Sequence, residues 1–274
     1  MHPLPRSYLF VPGDRPERFA KALASGADAV VVDLEDAVAP AAKAAARDHV
    51  ARLLDDSPDR ARIVVRINDE SADGFDADLD TLRRSGAAAV MLPKAERAAT
   101  VARLLGACPG IAVLALVETA RGVLAAEAVA SAPGVQRLVF GTIDYALDMG
   151  LQGDFADSVG LDAAAARIAL VSRACGLAPP VAGVTAAVAD DERCRADLQR
   201  ARAHGFAAKL CIHPRQVPVV HEVLAPSEQE LAWARRVVAA ADSGDATHGA
   251  VLLDGRMIDR PVIEFARRVL QRAP

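Results

Sequence analysis

Short apolar runs rich in β-branched residues alternate along this chain with longer segments in which apolar positions recur every three or four residues. The short runs predict strands at residues 7–11, 29–34, 63–67, 89–92, 111–117, 137–140, 180–184 and 208–212. Most are continuously apolar rather than alternating, as strands covered on both faces of a parallel sheet must be. The intervening segments predict helices at 16–25, 41–54, 76–85, 97–105, 124–131, 163–175 and 191–204, most of them closed by Gly. Eight strand-then-helix units predict an α/β fold, a (β/α)8 TIM barrel over residues 1–213. A doubly wound sheet is the alternative, but the first strand–helix junction, V-P-G-D-R-P, lacks the G-x-G-x-x-G of its dinucleotide-binding form.

The pattern changes after the eighth strand. Pro226-Ser227 with Glu230 predicts an N-cap before a helix at 228–241, residues 242–249 are small and polar like a hinge, and 260–272 predict a final amphipathic helix with Pro261 in its first turn. Residues 214–274 therefore form a C-terminal helical extension and lid, too short for an independent domain.

Composition narrows the partners. Apolar residues make up 52% of 274 and charged residues 25%, enough for one large core and unlike a disordered chain. A net charge of −4 disfavours nucleic acid, and the four cysteines, none at C-x-x-C spacing, give neither a zinc site nor a redox pair. The amino-terminal apolar run is too short for a secretory leader or a membrane span, so a cytoplasmic protein without membrane contact is expected.

In a barrel, chemistry collects where strands end at the carboxyl face. Those ends carry Asp33, Glu35 and Asp36; Arg66 and Asn68; Lys94 and Glu96; Glu118; Gly141, Thr142 and Asp144; and His213. Ionisable groups directly after apolar strands are costly unless paired, metal-bound or functional. Several carboxylates without a Cys/His cluster favour a hard cation such as Mg²⁺, and an Arg beside it suits an anionic substrate. Spacing alone stops at a metal-dependent enzyme acting on a carboxylate or carbonyl compound.

The strings R-S-Y-L-F-V-P-G-D-R-P-E-R-F, D-L-E-D-A-V, V-V-R-I-N, M-L-P-K-A-E, A-L-V-E-T-A-R-G, F-G-T-I-D, C-I-H-P-R-Q-V and M-I-D-R-P-V run in order from Arg6 to Val262. In them the chain resembles the citrate lyase beta-subunit-like branch of the HpcH/HpaI aldolase family, with its malyl-CoA and citramalyl-CoA lyases. The resemblance implies a homo-oligomer, trimer or hexamer, using Mg²⁺ on a small-molecule substrate, usually a coenzyme A thioester. It implies Glu118 and Asp144 as metal ligands and Arg66 as the catalytic contact to substrate oxygens. It further implies Gly141 and Thr142 as the loop that holds the oxo-acid carboxylate, and Asp259 as an acid/base on a lid over a neighbouring subunit. Glu35 is expected on the substrate side, near the metal or its waters.

Two departures bear on substrate identity: Val181 to Ala187 carry no acidic residue, and Ile143 stands where many relatives have Glu. Several roles stay open. Asp33, Glu35 and Asp36 equally suit capping or ion pairs, Arg15 and Arg18 suit either cofactor phosphates or a solvated helix start, and Asp259 suits a helix cap. Lys94 is read as an ion-pair partner and His213 as structural. The implied reaction is reversible Claisen-type cleavage of a 3-hydroxy-acid CoA thioester. The alternatives are a citrate lyase beta subunit, an aldolase of free oxo acids, and a non-catalytic oxo-acid-binding barrel.

Overall fold

The computed structural model describes residues 4–152, 157–242, 251–253 and 256–271. Eight parallel strands close into a barrel in chain order: β1 (Ser7–Pro12), β2 (Ala29–Asp33), β3 (Ile63–Arg66), β4 (Ala89–Leu92), β5 (Ala112–Val117), β6 (Val135–Phe140), β7 (Ala178–Ala182) and β8 (Ala208–Cys211). Closure is made by β1 against β8, with Tyr8 opposite Leu210. Each expected strand is present, within two residues at either end.

The barrel interior is filled by Tyr8, Val31, Val64, Met91, Leu114, Leu116, Val139, Val181 and Leu210 among others. Positions one residue away face the surrounding helices, because side chains alternate along a strand. That is why the strands read as continuously apolar: both faces are covered. The helices are α1 (Phe19–Leu23), α2 (Lys43–Asp56), α3 (Phe75–Ser85), α4 (Ala98–Ala107), α5 (Ala120–Ala130), α6 (Thr142–Asp148), α7 (Val159–Ala174) and α8 (Asp191–His204).

Three local differences from expectation have plain causes. α5 begins four residues before residue 124 because the Thr119 hydroxyl accepts from Gly122 N at 3.0 Å and caps it there. β7 starts at Ala178 and stops at Ala182, since Gly183 leaves the sheet to pack against Thr142, where any Cβ would come within 2.4 Å of Thr142 Oγ1. The short helix α6, carrying Asp144, has too few residues to show a helical period.

The chain divides into two compact units, Met1–His221 and Glu222–Pro274. This boundary lies beyond 213/214 because the helix α9 (Gln216–Leu224) returns to the first strand, with His221 Nε2 2.9 Å from Ser7 Oγ. In the second unit, α10 (Glu228–Asp242) and α11 (Arg260–Leu270) enclose a small core of Ala234, Val237, Ile258, Ala266 and Val269. An antiparallel hairpin, β9 (Val251–Leu253) with β10 (Arg256–Ile258), belongs to this unit and was not expected from the sequence, although Asp254-Gly255 is a hairpin signal. The expected hinge at 242–249 lies, past Asp242, outside the described residues. Among the described residues no helix is long and apolar enough to cross a membrane.

Candidate active site

The carboxyl ends of the strands border a cavity of about 1020 Å³, lined by Asp33, Asp36, Arg66, Glu118, Gly141, Thr142, Asp144 and His213, with Arg18 and Lys21 at one side. Register places these ends together: Asp33 at the end of β2 lies opposite Arg66 at the end of β3, and Val117 at the end of β5 opposite Phe140 at the end of β6.

Asp33 is fully paired. Its Oδ1 accepts from Arg66 Nε at 2.7 Å and Glu35 N at 2.9 Å, and its Oδ2 from Arg66 NH2 at 2.6 Å and Ala37 N at 3.0 Å. Two of the three guanidinium nitrogens of Arg66 are thereby committed, and its plane lies 5.0 Å from the centre of the Phe10 ring. The third nitrogen, NH1, is left for other partners, with Glu35 Oε2 at 3.0 Å and Asp36 Oδ2 at 3.5 Å. Glu35 Oε2 is buried, and its approach angle to Arg66 gives no hydrogen bond. Burial, opposed by Arg66 and reinforced by Glu118, lifts the Glu35 carboxyl to about 8.

Glu118 is 3% exposed and projects from the end of β5. Its Oε1 accepts from the backbone amide of Lys94 at 2.8 Å. To present that amide Lys94 adopts φ +43°, the left-handed region that a side chain disfavours. Burial, with Asp144 as a like charge nearby, raises the Glu118 carboxyl to about 7. The buried Glu118 carboxylate is thus set near a second carboxylate in a place that disfavours the Glu118 charge, which a cation would relieve. Among the described residues no group of three or more His, Cys, Asp or Glu is placed to hold a metal. A pair of hard oxygen donors therefore fits Mg²⁺, which keeps waters or substrate oxygens in its other positions, and does not fit a caged transition metal.

This shift carries a pH dependence. The Glu118 carboxyl sits near 7 in the folded chain against an ordinary 4.5, so its contribution to stability is present below about 4.5 and is lost as pH rises through about 7. Glu35 acts in the same sense at slightly higher pH. Melting temperatures of the metal-free protein should fall between about pH 5 and pH 8, and the rise produced by Mg²⁺ should be larger at pH 8. In Glu118→Gln the slope should flatten; an unchanged slope would show that this carboxyl is not the one that titrates.

Gly141 is required for room. A Cβ there would lie 2.6 Å from Glu118 Cβ and 2.7 Å from Glu118 Oε2. Its amide donates to Val117 O at 3.0 Å. Gly141→Ala should displace Glu118, weakening Mg²⁺ binding and turnover by about 10²-fold while the barrel stays folded. Circular dichroism with Mg²⁺ titration separates the two effects, and a fully active Gly141→Ala enzyme would refute the crowding.

Other expected residues fall into supporting places. Lys94 Nζ pairs with Asp69 at 3.1 Å and lies 3.9 Å from Glu35, as an ion-pair partner. Glu96 Oε1 accepts from the Thr119 hydroxyl at 2.8 Å. His213 Nδ1 accepts from Arg215 N at 3.2 Å beside the cavity. Asn68 faces away from it, donating to Asp78 Oδ2 at 2.6 Å and Leu34 O at 3.1 Å. Asp259 caps α11, its Oδ1 accepting from Val262 N at 3.3 Å.

Sequence reasoning missed the layer beneath. Asp78, wholly buried, takes Asn68 N at 2.8 Å and Arg47 NH1 at 3.0 Å, while Lys43 Nζ holds Leu34 O at 3.0 Å and Glu35 O at 3.1 Å and reaches Asn68 Oδ1. The only signal was charge at helix positions that face the barrel.

Fold and site together define a (β/α)8-barrel enzyme whose mouth carries two carboxylates beside an arginine. The profile of the HpcH/HpaI aldolase/citrate lyase family matches residues 6–214, and that of the C–C bond lyases of the TIM-barrel fold matches residues 177–274. A citrate lyase subunit beta-like protein of Mycobacterium tuberculosis is 41% identical over 271 residues, 97% of this chain and 94% of that protein. A (3S)-malyl-CoA thioesterase of Cereibacter sphaeroides is 34% identical over 275 residues, 99% of this chain and 95% of that protein. A crystal structure of the protein CitE from Mycobacterium tuberculosis in complex with magnesium, acetoacetate and coenzyme A aligns with a TM-score of 0.86 at 40% identity, covering 98% of this chain and 97% of that one. The chain belongs to the HpcH/HpaI aldolase/citrate lyase family, as its ordered strings implied.

Proposed function

We propose that this chain is a Mg²⁺-dependent carbon–carbon lyase that reversibly cleaves a 3-hydroxy-acid CoA thioester, such as malyl-CoA or citramalyl-CoA, into acetyl-CoA and a 2-oxo acid. The observation that carries the reading is that Glu118, whose burial disfavours its charge, and Asp144 border one cavity with Arg66. Family membership and the ligands in the related structure support it. Bound through Glu118 and Asp144, Mg²⁺ supplies a Lewis acid for the carboxylate and hydroxyl oxygens of the substrate.

The protein residues divide the remaining work. In the cleavage the substrate hydroxyl gives its proton to water in the open cavity and becomes the carbonyl of the oxo acid, the bond from its carbon to the thioester α-carbon breaks, and that electron pair passes into the thioester as an enolate. Arg66, fixed in plane by Asp33, meets the charge that develops on the thioester oxygen, a contribution of about 2.7–4 kcal/mol for a well-placed donor. Thr142 borders the oxo-acid end, Glu35 backs Arg66 NH1, and Arg18 and Lys21 suit the phosphates of coenzyme A.

Asp259 supplies or removes the α-carbon proton in this reading, from the lid of an adjacent subunit in a homo-oligomer, trimer or hexamer. Its cap on α11 and its chemistry can be separated, because Asn caps a helix about as well as Asp. Asp259→Asn should keep the melting temperature yet slow deuterium exchange into acetyl-CoA by about 10²-fold. Asp259→Ala mixed with Glu118→Ala should recover some activity through interfaces that pair an intact barrel with an intact lid. A fully active Asp259→Asn enzyme leaves the residue as a cap alone. All four cysteines are free thiols, which suits a cytoplasmic enzyme.

The deciding assay follows malyl-CoA and citramalyl-CoA with Mg²⁺. Acetyl-CoA together with glyoxylate or pyruvate is the expected outcome. Release of free coenzyme A with the acyl chain whole would mean thioester hydrolysis, and Mg²⁺ binding without turnover a non-catalytic barrel.

A further inference from the structure

A second cavity, of about 520 Å³, lies outside the barrel between β7, β8, α7 and α8. Leu161, Ala165, Val184 and Phe206 give it apolar walls, and Lys209 reaches it from β8. Val181, Ala208 and Leu210 fill the barrel interior, so Ala182 and Lys209, one position on, face this outer layer.

Lys209 is 1% exposed. Its Nζ donates one hydrogen bond, to Gly183 O at 2.6 Å, and makes no ion pair with any carboxylate among the described residues. Burial disfavours the Lys209 charge, and Asp197, which pulls the other way, is occupied by Arg193 at 2.8 Å and the Thr185 hydroxyl at 2.5 Å. The neighbouring Cys211 thiol is pushed up to about 12 by burial and stays neutral, so it offers no counter-charge. A buried ammonium with one acceptor for three N–H groups is costly, and an anion in the adjoining space would relieve it. Nor does the opposite strand help: Ala182 is the register partner of Lys209 and brings only a methyl group.

We propose that this outer cavity is a binding site for a small monocarboxylate with a short apolar tail, its carboxylate held by the Lys209 ammonium. The other charges that line the space meet one another, Asp162 with Arg200 and His204 and Asp197 with Arg193, so one negative charge matches Lys209 and a dianion such as phosphate is disfavoured. The volume lies within the range of small-molecule sites, and the apolar walls suit an alkyl chain. The site is separate from the Glu118–Asp144 pair, and the inference stands whether or not the lyase reading holds. Thr142 lines both cavities, so an occupant would touch the loop that carries Asp144.

Butyrate is the probe, titrated calorimetrically into the full-length protein in EDTA so that no divalent cation draws carboxylates to the main site. Saturable binding is expected, with butyramide weaker by about tenfold or more because it lacks the charge. Lys209→Met should lose butyrate binding by a similar factor. So should Ala182→Asp, which places a permanent carboxylate beside Lys209 and offers an independent variant should the first misfold. A crystal soaked with butyrate should show the carboxylate within hydrogen-bond reach of Nζ. The proposal is overturned if the wild-type protein does not bind butyrate, if butyramide binds equally well, or if both folded variants bind as the wild type does.

Discussion

Glu118→Gln and Asp144→Asn are each expected to lower Mg²⁺-dependent turnover by more than about 10³-fold while leaving the barrel folded. Gln is close to Glu in shape, and its carbonyl oxygen can still accept from Lys94 N at the end of β5. What it removes is a negative charge that the folded chain already disfavours, the carboxyl standing near 7 through burial and the proximity of Asp144. Glu118→Gln should therefore be at least as stable as the wild type at pH 8 without metal and should gain little from added Mg²⁺. Asp144 is exposed on the first turn of α6, so its loss leaves no buried group unpaired. Calorimetric Mg²⁺ titration beside a turnover assay checks both. Wild-type turnover in either variant at saturating Mg²⁺ would remove that residue from the ligand set.

The second large effect is at Arg66. Arg66→Lys should reduce kcat/KM by about 10²- to 10³-fold, nearly as much as Arg66→Ala. The guanidinium uses Nε and NH2 on the two oxygens of Asp33 and turns NH1 to the Glu35 and Asp36 side of the cavity, a division of labour that a single ammonium cannot reproduce. Stability should separate the two variants. Ala leaves the Asp33 carboxylate, 1% exposed, without its cation, at a cost of about 3–5 kcal/mol and roughly 10 °C in Tm. Lys retains a charge within reach of Asp33 and should lose less. A Lys enzyme with nearly full kcat would show that net charge alone matters there.

The site residues were legible because of where they stand. D-L-E-D, V-R-I-N, L-V-E-T and G-T-I-D each follow an apolar strand, and a barrel directs every strand end to one mouth. Pairing was not legible. Nothing local distinguishes Asp33, which locks Arg66, from Glu35, whose Oε2 lies beside the same guanidinium without a hydrogen bond. Gly141 attracted attention as part of a substrate loop; that a side chain there would crowd Glu118 was not legible. Lys94 was read through its ammonium, but its backbone amide is what holds Glu118.

The sequence by itself determined the number, order and approximate bounds of the eight strands, the capping capacity of Asp259, and the residue types gathered at the mouth. These follow from periodicity and short-range hydrogen bonding, which depend on neighbours a few residues apart. Only the tertiary structure decided which charges meet. The register of β2 on β3 sets Asp33 against Arg66, and that of β7 on β8 sets Ala182 against Lys209. The Asp78–Asn68–Arg47 layer forms only when α2 and α3 pack against the barrel. In each case the partners lie ten or more residues apart in the chain, and the burial that tunes them exists only once the barrel has closed.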